Sequence, residues 1–199
     1  MRYWVGAGGN SEWTDTNNWS ATDGGGGGAG VPTSSDDVTM NANNGGMDCF
    51  TSGADVVCKT LTLTAAWNKT FNAGGGKVTV SGAVSIAAGS MVCGTELNVA
   101  GSITFAAGTF DASTGTITMT AAGTLTVGAG QVFNNFTLNM SGLFTLAAGS
   151  GANLTINGNV TMTAMSGIQS ALNQSVTVKG NLIACSSAPT ARLRCGASR

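Results

Sequence analysis

Val78-Thr79-Val80-Ser81-Gly82-Ala83-Val84-Ser85-Ile86-Ala87-Ala88-Gly89 returns nineteen residues later as Leu97-Asn98-Val99-Ala100-Gly101-Ser102-Ile103-Thr104-Phe105-Ala106-Ala107-Gly108. In both copies apolar residues alternate with small polar ones, a Gly interrupts, the alternation resumes, and a corner of small residues follows. Alternation with period two is the mark of a strand that turns one face inward and the other outward. The central Gly lets the backbone bend without a Cβ clash. Looser copies centre on Gly123, Gly142, Gly158 and Gly180, with Gly-to-Gly gaps of 19, 22, 19, 16 and 22 residues, and a degenerate copy opens at Leu61-Thr62-Leu63-Thr64. A period near twenty residues fits one coil of a solenoid. Asn-Gly hairpin signals occur only at Asn44-Gly45 and Asn157-Gly158, the second inside a repeat. The pattern therefore predicts an all-β chain, a right-handed parallel β-helix with an N-terminal cap. A β-sandwich, the rival built from similar short strands, does not require repeats in register.

Stacked coils place like residues above like. The predicted inward column is Val80, Val99, Met119, Leu138, Ile156 and Val178; the outward one is Thr79, Asn98, Thr118, Thr137, Thr155 and Thr177. About six to seven coils at the roughly 4.8 Å spacing of paired strands make a rod of about 30 Å. Each coil buries roughly five apolar side chains at about 1.5–3 kcal/mol apiece. That offsets the ordering entropy of the unit only when neighbours cover both its ends. The expected organisation is a Trp- and Gly-rich cap with the first strand over 1–59, solenoid coils over 60–184, and a basic tail over 185–199.

Composition narrows the functional classes. Charged residues make up 9% of the chain, against roughly a quarter in an average soluble domain. With 42% hydrophobic residues and a net charge of −1, the chain has the means to form a core and is not of disordered type. Between Val78 and Val178 the only charges are Glu96 and Asp111, and no basic stripe exists to follow nucleic acid. So small a charge favours association, with much of the surface facing other subunits; a Thr- and Asn-coated surface adequately hydrated by water is the other reading. No apolar run reaches the roughly 20 residues of a membrane-spanning helix, and no apolar signal-peptide core follows Met1. Membrane insertion is not expected.

Catalytic chemistry is not expected either. Parallel β-helices that cleave polysaccharides need paired carboxylates, or a basic residue beside an acidic metal site. Here no Asp or Glu follows Asp111, Glu96 and Asp111 stand a non-integral coil apart, and histidine is absent. No cofactor is implied. The cysteines Cys49, Cys58, Cys93, Cys185 and Cys195 match no zinc spacing. Cys49 with Cys58, and Cys185 with Cys195, lie close enough in sequence to staple the two ends of the fold, with Cys93 left over; five reduced thiols is the other reading. Thr118/Thr120, Thr124/Thr126 and Thr161/Thr163 raise the idea of a water-ordering face, but the pairs do not recur in every coil.

The first sixty residues hold Trp4, Trp13 and Trp19, most of the acids, and the run Gly24–Gly28, which reads as a flexible loop. The three Trp are expected to close the open end of the solenoid, where a bare strand edge invites aggregation; a glycan-stacking platform is their second conceivable use. Tyr3-Trp4-Val5-Gly6, Trp13-Thr14-Asp15, Asn18-Trp19-Ser20, Val31-Pro32-Thr33-Ser34-Ser35-Asp36-Asp37-Val38 and Cys58-Lys59-Thr60-Leu61 follow one another in that order. This opening resembles that of β-helical surface proteins encoded by tailed phages and in environmental bacterial genomes. The resemblance covers about the first 65 residues closely, and beyond them only the style of the repeat. It implies a non-enzymatic structural component of a virion surface, as capsid decoration or fibre, with a bacterial extracellular filament or adhesin subunit as the alternative. It further implies a homo-oligomer, trimeric by analogy with fibres, in contact with other virion or surface proteins. The basic tail (Arg192, Arg194, Arg199) is a candidate contact to an acidic neighbour.

Overall fold

A computed structural model of the chain describes residues 1–128, 131–148, 153–163, 167–170 and 176–185. The chain winds as a β-solenoid of three walls, each coil contributing one short strand to each wall. One complete coil runs through Lys77–Val80, Val84–Ile86 and Ser90–Val92; the next runs through Glu96–Val99, Ile103–Phe105 and Thr109–Asp111. Wall I is a nine-stranded sheet and wall II a seven-stranded one. Wall III is divided into a four-stranded sheet and a three-stranded sheet. All solenoid pairings are parallel, and about six turns are stacked, as the repeat predicts.

Alternation explains the core. Val78 and Val80 point inward from wall II, Val84 and Ile86 from wall I, and Met91 from wall III, and all are buried. Higher in the rod these aliphatic side chains give way to a chain of rings: Phe105–Phe110, Phe110–Phe133, Phe133–Phe136 and Phe136–Phe144, with centroids 4.7, 5.7, 5.9 and 5.7 Å apart. Such spacings suit tilted and edge-to-face contact. Corners stay narrow because glycines stack there. A Cβ on Gly94 would meet the Gly76 carbonyl oxygen, and one on Gly115 the Gly94 carbonyl oxygen. A second glycine column, Gly82, Gly101 and Gly123, turns the chain from wall II to wall I.

The inward column holds through Val80, Val99, Met119 and Leu138, paired one above another on wall II. It then continues through Met162, not through Ile156. Ile156 and Val178 belong to wall III, where Ile156 is paired with Phe133 below and Val178 above. Thr155 and Thr177 move with them, so the outward column on wall II runs Thr79, Asn98, Thr118, Thr137, Thr161. The cause is a third strand in each coil that the two-strand repeat overlooks. Gly158 and Gly180 likewise stack on each other at the corner between walls III and II, not in the column of Gly82.

The N-terminal segment closes one end. Arg2–Trp4 adds a parallel strand to Asp37–Met40 on wall I, and Trp19–Ser20 covers that strand antiparallel. A bridge from Glu12 to Phe50 extends wall III. Trp4 and Trp19 meet at 5.1 Å, Trp13 and Trp19 at 4.6 Å, and Trp13 reaches Phe71 in the core at 5.4 Å. Buried Asn18 ties the segment together. Its Nδ2 donates to the Glu12 carbonyl at 2.8 Å and to the side-chain oxygen of Asn10 at 2.9 Å, while its Oδ1 accepts from Gly8 N–H at 2.8 Å. Two expectations change here. The stretch read as cap and first strand, 1–59, already holds a complete coil, Asp37–Met40, Cys49–Phe50 and Val56–Cys58. The Gly24–Gly28 run is not a free loop, because Gly28 N–H donates to the Thr16 carbonyl and Ala29 N–H to the Trp19 carbonyl.

Candidate functional site

The surface a solenoid offers a partner is the outward half of its strands, and the three walls differ in chemistry. On wall I the register places Thr39, Thr62, Ser85, Thr104 and Thr126 in one column. Thr124 and Thr145 form a second column beside it. Below them, Ser102 Oγ accepts the Thr124 N–H at 3.1 Å. Neighbouring rungs lie about 4.8 Å apart. The hydroxyls of Thr62, Ser85, Thr104 and Thr126 make no hydrogen bond among the described residues, so they face outward with donor and acceptor both unspent. Leu143, 46% exposed, and Ala147 share this face. Its charges among the described residues sit at the capped edge, where Arg2 Nη1 lies 3.6 Å from Asp36, and Asp37 accepts from Thr60 Oγ1 at 2.8 Å and lies 3.7 Å from Lys59 Nζ.

Wall II carries ions. Lys77 Nζ lies 2.8 Å from Glu96 Oε2 on the adjacent rung. Partial burial raises the Glu96 pKa, but the Lys77 ammonium and the Thr118 hydroxyl outweigh it and hold the carboxyl below its ordinary range. Thr118 is itself buried in this contact. On wall III the break between the two sheets leaves a shallow cleft lined by Phe110, Asp111, Ser113, Val132, Asn134 and Asn157. Asp111 is committed there to the Ser113 N–H at 2.8 Å, and Asn134 to the Thr114 carbonyl at 2.7 Å. Glu96 and Asp111 thus stand on different walls. Among the described residues no group of three His, Cys, Asp or Glu is placed to hold a metal.

Trp4, Trp13 and Trp19 are at most 1% exposed, so these rings cannot serve as a glycan platform. The Trp19 indole N–H is spent on the Trp13 carbonyl at 2.7 Å. Trp67, which the sequence reading passed over, is equally buried, at the corner beneath Gly89. Its being the one Trp outside the cap was the available signal. The expected Cys49–Cys58 staple is not formed. Cys49 points in from wall III and Cys58 from wall II, and both are free buried thiols, as is Cys93. Burial pushes Cys58 and Cys93 up to about 12, and Cys49 well above the ordinary range. Cys185 ends a wall II strand, whereas Cys195, Arg192, Arg194 and Arg199 lie outside the described residues. Of the threonine pairs, Thr124/Thr126 faces out from wall I, while Thr118 and Thr161 stand on wall II. They form no common face. No family model, curated protein or solved structure matches this chain.

Proposed function

We propose that the chain is a non-enzymatic structural module of a virion surface, a capsid decoration or fibre component that assembles into a homo-oligomer through the sides of its solenoid. The observation that carries this reading is the contrast between end and sides. One end is sealed by three buried Trp and an antiparallel strand, which discourages growth of the rod in that direction. The sides between Thr62 and Val160 carry only Lys69, Lys77, Glu96 and Asp111 as charges. A surface so poorly charged suits subunit contact better than bulk water. The virion assignment leans on the resemblance of the opening Trp motifs to those of tailed-phage proteins.

The test has two parts. Light scattering on the purified chain is expected to return a discrete multimer, a trimer if the fibre analogy holds; a single-chain mass at every concentration counts against assembly. Electron micrographs are expected to show discrete particles, whereas long fibres formed by the chain alone would favour a bacterial filament subunit.

A further inference from the structure

We infer that residues 191–195 are the next strand of wall I, laid along Gly167–Ser170 so as to cover the end of the solenoid opposite the Trp cap. Among the described residues the core is open there. Leu182 stands in the inward column of Phe136 and Val160, which are buried, yet it is 56% exposed. Val176 likewise follows buried Leu154 and is 45% exposed. Gly167–Ser170, Val176–Val178 and Leu182–Cys185 are each the last strand of their sheet. Each therefore presents a row of backbone groups with no described strand beside it, the edge that folded chains cover or charge.

The chain itself supplies the occupant. It leaves the ladder at Cys185, the end of a wall II strand, and in every earlier coil the strand that follows wall II belongs to wall I. That corner takes three residues after Val80 and after Thr163; here 186–190 provide it, and Pro189, with no N–H to give a ladder, falls within it. Ala191-Arg192-Leu193-Arg194-Cys195 then alternates with period two. Leu193 turns onto the exposed core with Ala191 and Cys195, while Arg192 and Arg194 face outward, where charge blocks edge-to-edge pairing. A strand in this direction carries Cys195 about 13 Å beyond Ala191, at about 3.3 Å per residue. That separates it from Cys185 by more than the roughly 7 Å between Cα atoms that a disulfide spans. The two thiols stay unpaired.

Backbone direction supplies the measurement. The Val84 N–H donates to the Ser102 carbonyl in the coil above, and the register carries that orientation up wall I from Val84 to Ser170. Ile168, two residues earlier, turns the same way, whereas Gln169 turns to the coil below. Amide hydrogen exchange followed by NMR on the full chain is expected to find Ile168 and Ser170 protected, equally at all chain concentrations. Deleting 186–199, or Leu193→Asp, should speed exchange at these two amides at least about tenfold and leave Gln169 slow. Arg192→Thr, on the outward side, should change none of the three. Circular dichroism verifies folding, and Leu193→Asp keeps the test decisive if the truncated chain does not fold. Fast exchange of Ile168 and Ser170 in the full chain, or equal loss of protection in Arg192→Thr, overturns the inference. So does protection that grows with chain concentration, which would make a second copy the occupant, and so does a Cys185–Cys195 disulfide found by mass in the folded chain.

Discussion

Cys58 and Cys93 show what a solenoid core does to a single side chain. Both are buried, Cys58 beside Val80 on the adjacent rung, and burial disfavours the thiolate. The consequence for stability has a definite sign. Above about pH 9 the thiols of the unfolded chain ionise, whereas those of Cys58 and Cys93 stay protonated up to about 12. The folded state then binds more protons, so stability is intact below pH 9 and falls as pH rises from there. The loss is about 1.4 kcal/mol per pH unit for each thiol. Urea midpoints measured from pH 8 to pH 11 should decline, and less steeply in Cys58→Val. A flat profile would mean that these thiols are open to solvent. Their burial was only partly legible beforehand. Sequence proximity suggested a Cys49–Cys58 bond, but in a coil of three walls nine residues of separation lead from one wall to the next.

At the scale of the strand, walls I and II were legible and wall III was not. Walls I and II each turn two apolar residues inward, as in Val78/Val80 and Val84/Ile86, and that alternation is conspicuous in the sequence. In the lower coils wall III buries a single strand residue, Phe71, Met91 or Phe110, between two corners, too little to register as alternation. Higher up it lengthens to Leu154 and Ile156 and imitates a wall II strand, which is why Ile156 and Val178 were assigned to the wrong column. The glycine corners allow a paired test. Gly94→Ala drives a methyl into the Gly76 carbonyl and is expected to cost about 1–3 kcal/mol. Gly75→Ala, with nothing within 4 Å, should stay within about 0.5 kcal/mol. Equal melting temperatures for the two would show that the corners are not closely packed.

Over the whole molecule, stability depends on covering the end of the stack, since a coil without a neighbour cannot repay its own ordering. The cap was legible because three Trp in nineteen residues have few uses besides burial or ligand stacking. Which of the two applied required the fold, and the Trp13–Phe71 contact decides for burial. Deleting residues 1–36 would bare the strand Asp37–Met40 along its whole edge. The truncated chain is expected to give broad, concentration-dependent light scattering instead of a defined species. A monodisperse, cooperatively melting product would show the cap to be dispensable.

The turn after Leu63 takes six residues, 64–69, to reach Thr70, whereas the equivalent turn after Ile86 takes three, 87–89, to reach Ser90. Yet Leu61 still pairs with Val84, and Phe71 with Met91. Length is thus absorbed outside the ladder. A peptide grafted at such a bend would be carried at a fixed height along the shaft while every hydrogen-bonded rung stays in place, which gives the scaffold ready-made points of display.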